Sequence, residues 1–277
     1  MIMFKIIYSY RFFILNSVLT ELKIKFARSK LGIFWAILHP LAQVLIYAIV
    51  LSSVLSAKLP GINNKYAYSI YLISGMLCWS LFSEILLRSV GVFTDNANLI
   101  KKMNFPKIVL LFNIIFSAII NNIFFFSVSV LIFIFLGHSL GISLFILPIF
   151  FILTIIMSAS FGLIFGILNV FIRDISQLIN IALQFIFWLT PIVYMINIVP
   201  EKFSFFLKLN PLLNIIEGYH QIIIYNQIPN FLSFIYPIII SIISITICFL
   251  CTKEPMKKWR TFYDRNTEIK KCFQILL

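Results

Sequence analysis

Residues 108–200 contain only two Asp, Glu, Lys or Arg residues, the adjacent Arg173 and Asp174. An uncharged stretch of that length, rich in Ile, Leu and Phe, cannot be hidden inside a water-soluble core. The whole chain agrees: 61% of its residues are hydrophobic and 11% charged, against about 45–50% and about 25% in soluble domains. Its apolar runs are too long for strands and lack the two-residue alternation of an outer-membrane barrel. The sequence therefore describes an all-α integral membrane protein.

A spanning helix needs about 20 mostly apolar residues. Six runs meet that length: 32–57, 67–90, 108–136, 143–171, 178–198 and 231–252. They form one transmembrane domain over 1–277, with a leading helix over 1–31, the six-span region over 32–252 and a basic tail over 253–277. With six spans both termini share a side, and that side collects 17 Lys and Arg residues against 4 on the other. Cationic loops stay in the cytoplasm, so both termini, the 94–107 loop and the Arg173-Asp174 turn are expected there.

The N-terminal stretch has no small-residue cleavage site, and its basic residues follow the apolar part instead of preceding it. It reads as an amphipathic helix lying in the cytoplasmic interface. Residues 199–230 are too apolar for a free loop and too interrupted for a span, with Pro200, Pro211 and Pro229 breaking them. Two short re-entrant helices between spans five and six fit best, because irregular backbone in a membrane must be buried in protein or line a cavity.

Several function classes lack support. No phosphate-binding GxxxxGK[ST] loop occurs. Nine acidic residues form no carboxylate pair suited to acid–base work, and His39, His138 and His220 lie in separate segments. Cys248 and Cys251 make a lone CxxC with no second pair, so no metal site or cofactor is expected in this chain. The net charge of +13 follows membrane topology rather than a nucleic-acid-binding stripe.

Other residues leave two readings open. Glu84 and Arg88, spaced i, i+4 in the second span, either line a polar entrance or subunit contact or neutralise each other at headgroup level. Trp35, Tyr47, Tyr71, Trp79, Trp188 and Tyr194 are either interfacial belt residues or walls of a conduit. Gly162 and Gly166 allow a close helix approach. "TDNANLIKKMNFPK" (94–107) opens on Thr94 and Asp95, both good caps, and reads as a short amphipathic helix on the inner face. Asp174 is expected to cap the fifth span.

Five segments in order, "KFARSKLGIFWAILHPL" (25–41), "NANLIKKMNFPKIVL" (96–110), "ILNVFIRDISQL" (167–178), "FWLTPIVY" (187–194) and "VPEKFSFFLKLNPLLNIIEGYH" (199–220), resemble the ABC-2 type permeases that export cell-surface polysaccharides. The family includes O-antigen, capsule and teichoic-acid exporters. The resemblance implies a six-span permease in the bacterial inner membrane. It would pair with a second copy of itself and with two separate ATPase subunits, which bind the ATP and Mg. The substrate would be a polysaccharide on a polyprenyl-pyrophosphate carrier, drawn through a channel at the dimer interface.

Carried onto this chain, the resemblance implies roles for particular residues. The coupling helix at the ATPase would use Asp95, Asn98, Lys101, Lys102, Phe105 and Pro106, with Arg173 and Asp174 as a second contact. Lys25, Arg28, Lys30 and Trp35 would stand where the substrate enters. Tyr47, Tyr71, Trp79, Glu84, Arg88 and Trp188 would line the channel, and Pro191, Tyr194, Pro211, Glu217 and His220 would form the outward gate. The chain departs from its relatives at Lys25-Phe26-Ala27, where Arg-Tyr-Lys is usual. The competing readings are an ABC-2 permease for a small molecule or lipid, and a membrane-embedded glycan-modifying enzyme.

Overall fold

The computed structural model describes residues 2–27, 30, 34–46, 66–102, 106, 108–196 and 199–253. Ten α-helices follow in order among these residues: α1 Ile2–Ala27, α2 Trp35–Ile46, α3 Ala67–Asp95, α4 Ala97–Lys102, α5 Ile108–Phe135, α6 Leu147–Phe171, α7 Ile175–Leu189, α8 Glu201–Lys208, α9 Pro211–Ile223 and α10 Ile235–Lys253. Short 3-10 turns, Ile142–Ile146 and Phe231–Phe234, lead into α6 and α10. The described residues contain no strand.

Three of these helices are long and apolar enough to cross a membrane: Ala67–Asp95, Ile108–Phe135 and Ile142–Phe171. They coincide with the second, third and fourth expected spans. The first span is described only over α2, and the remainder of 32–57 lies outside the described residues. The fifth corrects the expectation of 178–198. Helix α7 has 15 residues and stops at Leu189, a rise of about 22 Å at 1.5 Å per residue. Pro191 is the physical reason: a residue before proline is pushed out of the α region, and Thr190 sits extended at φ −97°, ψ 137°. Between α7 and α10 the two expected short helices are present as α8 and α9.

Helix α3 is the centre of the fold, with α5, α6, α7 and α9 packed around it. It is buried along its length, from Ala67 and Tyr68 to Val90 and Val92. Its side chains join Phe150 and Met157 of α6 and Ile215, Ile216 and Tyr219 of α9 in one core. Helix α1 lies against α5, where Ile14 and Val18 meet Val109 and Phe112. Helix α5 ends on Gly137 at φ +72°. There the amide of His138 reaches the carbonyl of Phe133 and that of Gly137 the carbonyl of Ile134, a left-handed stop that glycine adopts without steric cost.

Gly162 and Gly166 sit where α6 crosses α3. A Cβ on Gly162 would stand 2.5 Å from Ser89 Cβ, and one on Gly166 would stand 2.7 Å from the Ser89 carbonyl oxygen. Two backbones in contact leave no flexible atom to yield at Gly166. Gly166→Ala should therefore cost about 1–3 kcal/mol through overpacking, read as a lower thermal unfolding midpoint in detergent. Trimming Ser89 to Gly should not restore it, because the obstacle is main chain.

Candidate functional site

The two ends of α3 hold separate clusters. Tyr71 and Thr94 are 23 residues apart, and at 1.5 Å per residue the helix separates them by about 35 Å, close to the thickness of a hydrocarbon core.

At the C-terminal end, α3 continues through Asp95 and hands over to α4 at Asn96. The expectation that Thr94 and Asp95 cap the short helix is corrected. The Thr94 hydroxyl donates back to the Gly91 carbonyl at 3.0 Å and to Asp95 Oδ1 at 3.2 Å, while the Asn96 carbonyl accepts from Ile100 at 2.9 Å. Helix α4 is amphipathic as expected: Leu99 and Ile100 pack on Val92, Leu110 and Ile114, and Asn98 is exposed. Pro106 is half-buried ahead of α5, and its carbonyl accepts from Val109. Phe105 and the side chains of Lys101 and Lys102 lie outside the described residues.

Arg173 and Asp174 form the exposed turn between α6 and α7. Asp174 occupies the N-cap position of α7, yet its carboxylate makes no cap hydrogen bond, which corrects the capping role expected for it. Its backbone is already in the α region (φ −72°, ψ −13°), whereas a capping side chain works from an extended residue. Asn169 does that work instead. Its Oδ1 accepts the Ser176 amide at 3.2 Å, and its Nδ2 donates to the Val90 carbonyl at 3.1 Å and lies 3.5 Å from Thr94 Oγ1. One buried amide thus ties the end of α3 to the α6–α7 turn and brings the two expected coupling regions together. The signal was a lone Asn in the apolar run "GILNVF" (166–171), a polar group that must find partners when buried.

Glu84 and Arg88 are not the self-contained pair that their spacing suggests. Arg88 reaches Glu21 of α1 at 2.8 Å, Ser117 of α5 at 3.0 Å and Glu84 at 3.3 Å. Ser117 also donates to Glu21 at 2.9 Å, and Asn121 Nδ2 to Glu84 at 2.7 Å. The cluster is a junction of α1, α3 and α5 within one chain, and Glu21 was not identifiable from spacing because its partner is distant in sequence.

At the N-terminal end of α3, the irregular segment after α7 folds back onto the helix. Tyr71 donates to the carbonyls of Pro191 and Tyr194, each at 3.1 Å, and the Tyr68 hydroxyl donates to the Val193 carbonyl. Asn210, the side-chain cap of α9, donates to Thr190 Oγ1 at 2.8 Å. His220 of α9 stacks on Tyr71, ring centroids 3.8 Å apart and planes 26° apart. Farther round, His138 contacts the Ile223 carbonyl at 2.6 Å, and Asn226 bonds Gly141 and Ser139, stitching the α5–α6 loop to the end of α9.

The remaining expected residues are dispersed. Trp79 is buried between Phe82 and Phe187, so like Tyr71 it faces its own chain. Trp188 is exposed on one stripe of α7 with Leu178, Ile181 and Phe185. Pro211 is half-buried as the first residue of α9. Lys25, Lys30 and Trp35 are exposed, and Arg28 and Tyr47 lie outside the described residues. An apolar cavity of about 250 Å³ lies between α3, α6, α7 and the start of α9, walled by Phe82, Phe161 and Phe165.

Two outcomes check this geometry. Asn169→Leu leaves the Ser176 amide without its acceptor, so hydrogen exchange there should rise roughly ten- to hundredfold, the equivalent of about 1–3 kcal/mol. A double-mutant cycle on Glu21→Ala and Arg88→Ala should give a coupling of at most about 1 kcal/mol, because both side chains are about a third exposed.

Residues 15–224 match the family described as ABC-2 type transporter. An O-antigen export system permease protein RfbA of Klebsiella pneumoniae is 31% identical over 206 residues, 73% of this chain and 76% of that protein. A protein of the same name from Myxococcus xanthus is 25% identical over 232 residues, 81% and 85% of the two chains. The polysialic acid transport protein KpsM of Escherichia coli is 27% identical over 203 residues, 72% and 76% of the two chains. The chain is a member of the ABC-2 type transporter family.

Proposed function

We propose that this chain forms the membrane passage of an ATP-driven exporter that carries lipid-linked, O-antigen-like polysaccharide across the inner membrane. The observation that carries the reading is the division of α3. One end joins α4 and the Arg173-Asp174 turn through Asn169, and the other end, about 35 Å away, holds an irregular segment by its backbone carbonyls. Six spans complete the fold, with both termini in the cytoplasm and α1 in the interface. Asn98, Lys101, Lys102, Phe105 and Pro106 seat on a separate ATPase, with Asp95, Arg173 and Asp174 beside them. That partner supplies the ATP and Mg chemistry, and two of its copies serve a permease homodimer.

The apolar stripe of α7, Leu178, Ile181, Phe185 and Trp188, suits lipid on one side of the complex and a second copy at the passage. Helices α8 and α9 dip into the outer half of the membrane as the outward gate. Lys25, Arg28 and Lys30 offer cations to the pyrophosphate of the carrier. The names of the relatives favour a polysaccharide over a small molecule, lipid or drug, and the absence of a convergent acid–base set in the sequence disfavours a glycan-modifying enzyme.

Deletion of the gene should abolish the surface polysaccharide and leave lipid-linked polymer inside the cell, read by glycan analysis of both compartments. Unchanged surface glycan would refute the reading. Neutralising Arg28 and Lys30 together should lower export while the complex with the ATPase still assembles, as judged by co-purification.

A further inference from the structure

Once α7 ends at Leu189, residues 190–195 form no regular helix, and the carbonyls along 189–194 need other donors. Three tyrosine hydroxyls reach four of these carbonyls. Tyr194 donates to Leu189 at 3.0 Å, Tyr71 is shared between Pro191 and Tyr194 at 3.1 Å each, and Tyr68 donates to Val193. Tyr68 and Tyr71 are three residues apart on one face of α3. Between their attachments Ile192 is fully buried, seated at Gly75, where a Cβ would come 3.2 Å from its Cγ2 and 3.5 Å from its Cα.

We propose that Tyr68 and Tyr71 are positioning residues that latch the outward gate, holding segment 190–195 against α3 at rest and releasing it for export. This rests on the export reading above. The attachment is of a kind that a conformational step can break. Each bond is neutral, of modest net strength in a folded chain, and in the case of Tyr71 divides one proton between two acceptors. By contrast, the α3–α6 crossing is set by backbone against backbone at Gly166 and offers no comparable release. His220, stacked on the Tyr71 ring, braces the phenol, and the Asn210 bond to Thr190 links the latched segment to the start of α9. Release would therefore loosen the start of α9 at Asn210, while Ile215, Ile216 and Tyr219 keep the helix in the core.

The test uses the permease–ATPase complex in cells lacking the native gene. Gly75→Cys with Ile192→Cys places two cysteines within disulfide reach. Oxidant should form the bond and stop export, and reductant should restore export in the same complex, while the wild-type complex exports under oxidant. Export that continues through the linked complex overturns the latch, and so does failure of the pair to link, since the segment then does not rest on Gly75. In a second arm, Tyr68→Phe with Tyr71→Phe removes only the two hydroxyls. The ATP-free complex in liposomes should then leak small solutes at least about fivefold faster than wild type, the equivalent of one hydrogen bond, and an unchanged leak also overturns the latch. If the wild-type complex exports no polysaccharide, the export reading fails on its own, and the leak still decides the latch.

Discussion

The fold depends on one helix being buried over most of its surface. Helix α3 has 29 residues, twenty of them buried, and its neighbours are arranged by what it presents to them. Hydroxyls at Ser74 and Ser80 turn back to their own helix, to the carbonyls of Tyr71 and Leu77. Asn122 of α5 reaches the Leu77 carbonyl and Ser80, and the glycines of α6 admit the α3 backbone at Ser89. Apolar surface brings helices together without fixing their register, whereas these polar and close-backbone contacts fix it. Because α3 is unbroken, whatever holds its two ends is held at a set separation.

Those ends differ in chemistry. The Thr94 end uses a buried amide, Asn169, to hold a turn whose charged residues stay exposed. The Tyr71 end uses hydroxyls to hold a segment with no secondary structure of its own. Between them, Arg88 fastens α1 to the bundle through Glu21. With two carboxylates facing one guanidinium, that junction is polar enough to need the partial exposure it has. The arrangement fits a permease in which force is applied at one end and an opening is made at the other.

Much of this architecture was readable from the sequence. Runs of more than twenty apolar residues gave α3, α5 and α6 nearly to their ends, and the prolines at 200 and 211 separated α8 from α9. The end of α7 was misjudged because "IVYMINIV" (192–199) stays apolar after Pro191 has already broken the helix. Hydropathy reports the surroundings of a segment and says little about its backbone. The Glu84–Arg88 spacing was legible as a local pair, but Glu21 is 67 residues away from Arg88, and no periodicity connects them. Tyr71 read as belt or conduit because both readings ask only for an aromatic ring. Its hydroxyl, pointing at carbonyls more than a hundred residues away, carries its role. Asn169 lay in view as a single amide in an apolar helix, and only the fold shows which backbone groups it serves.

The central claim is that α3 is an unbroken beam between its Tyr71 end and its Thr94 end. Spin labels at Tyr66 and Asp95, exposed at its two ends, measure it directly by pulsed dipolar distance in the complex with the ATPase. The helix predicts a single distance near 44 Å, the rise of 29 residues at about 1.5 Å each, unchanged between the ATP-free and ATP-bound states. A shorter distance, or a second population on adding ATP, would show that α3 bends and would contradict the account.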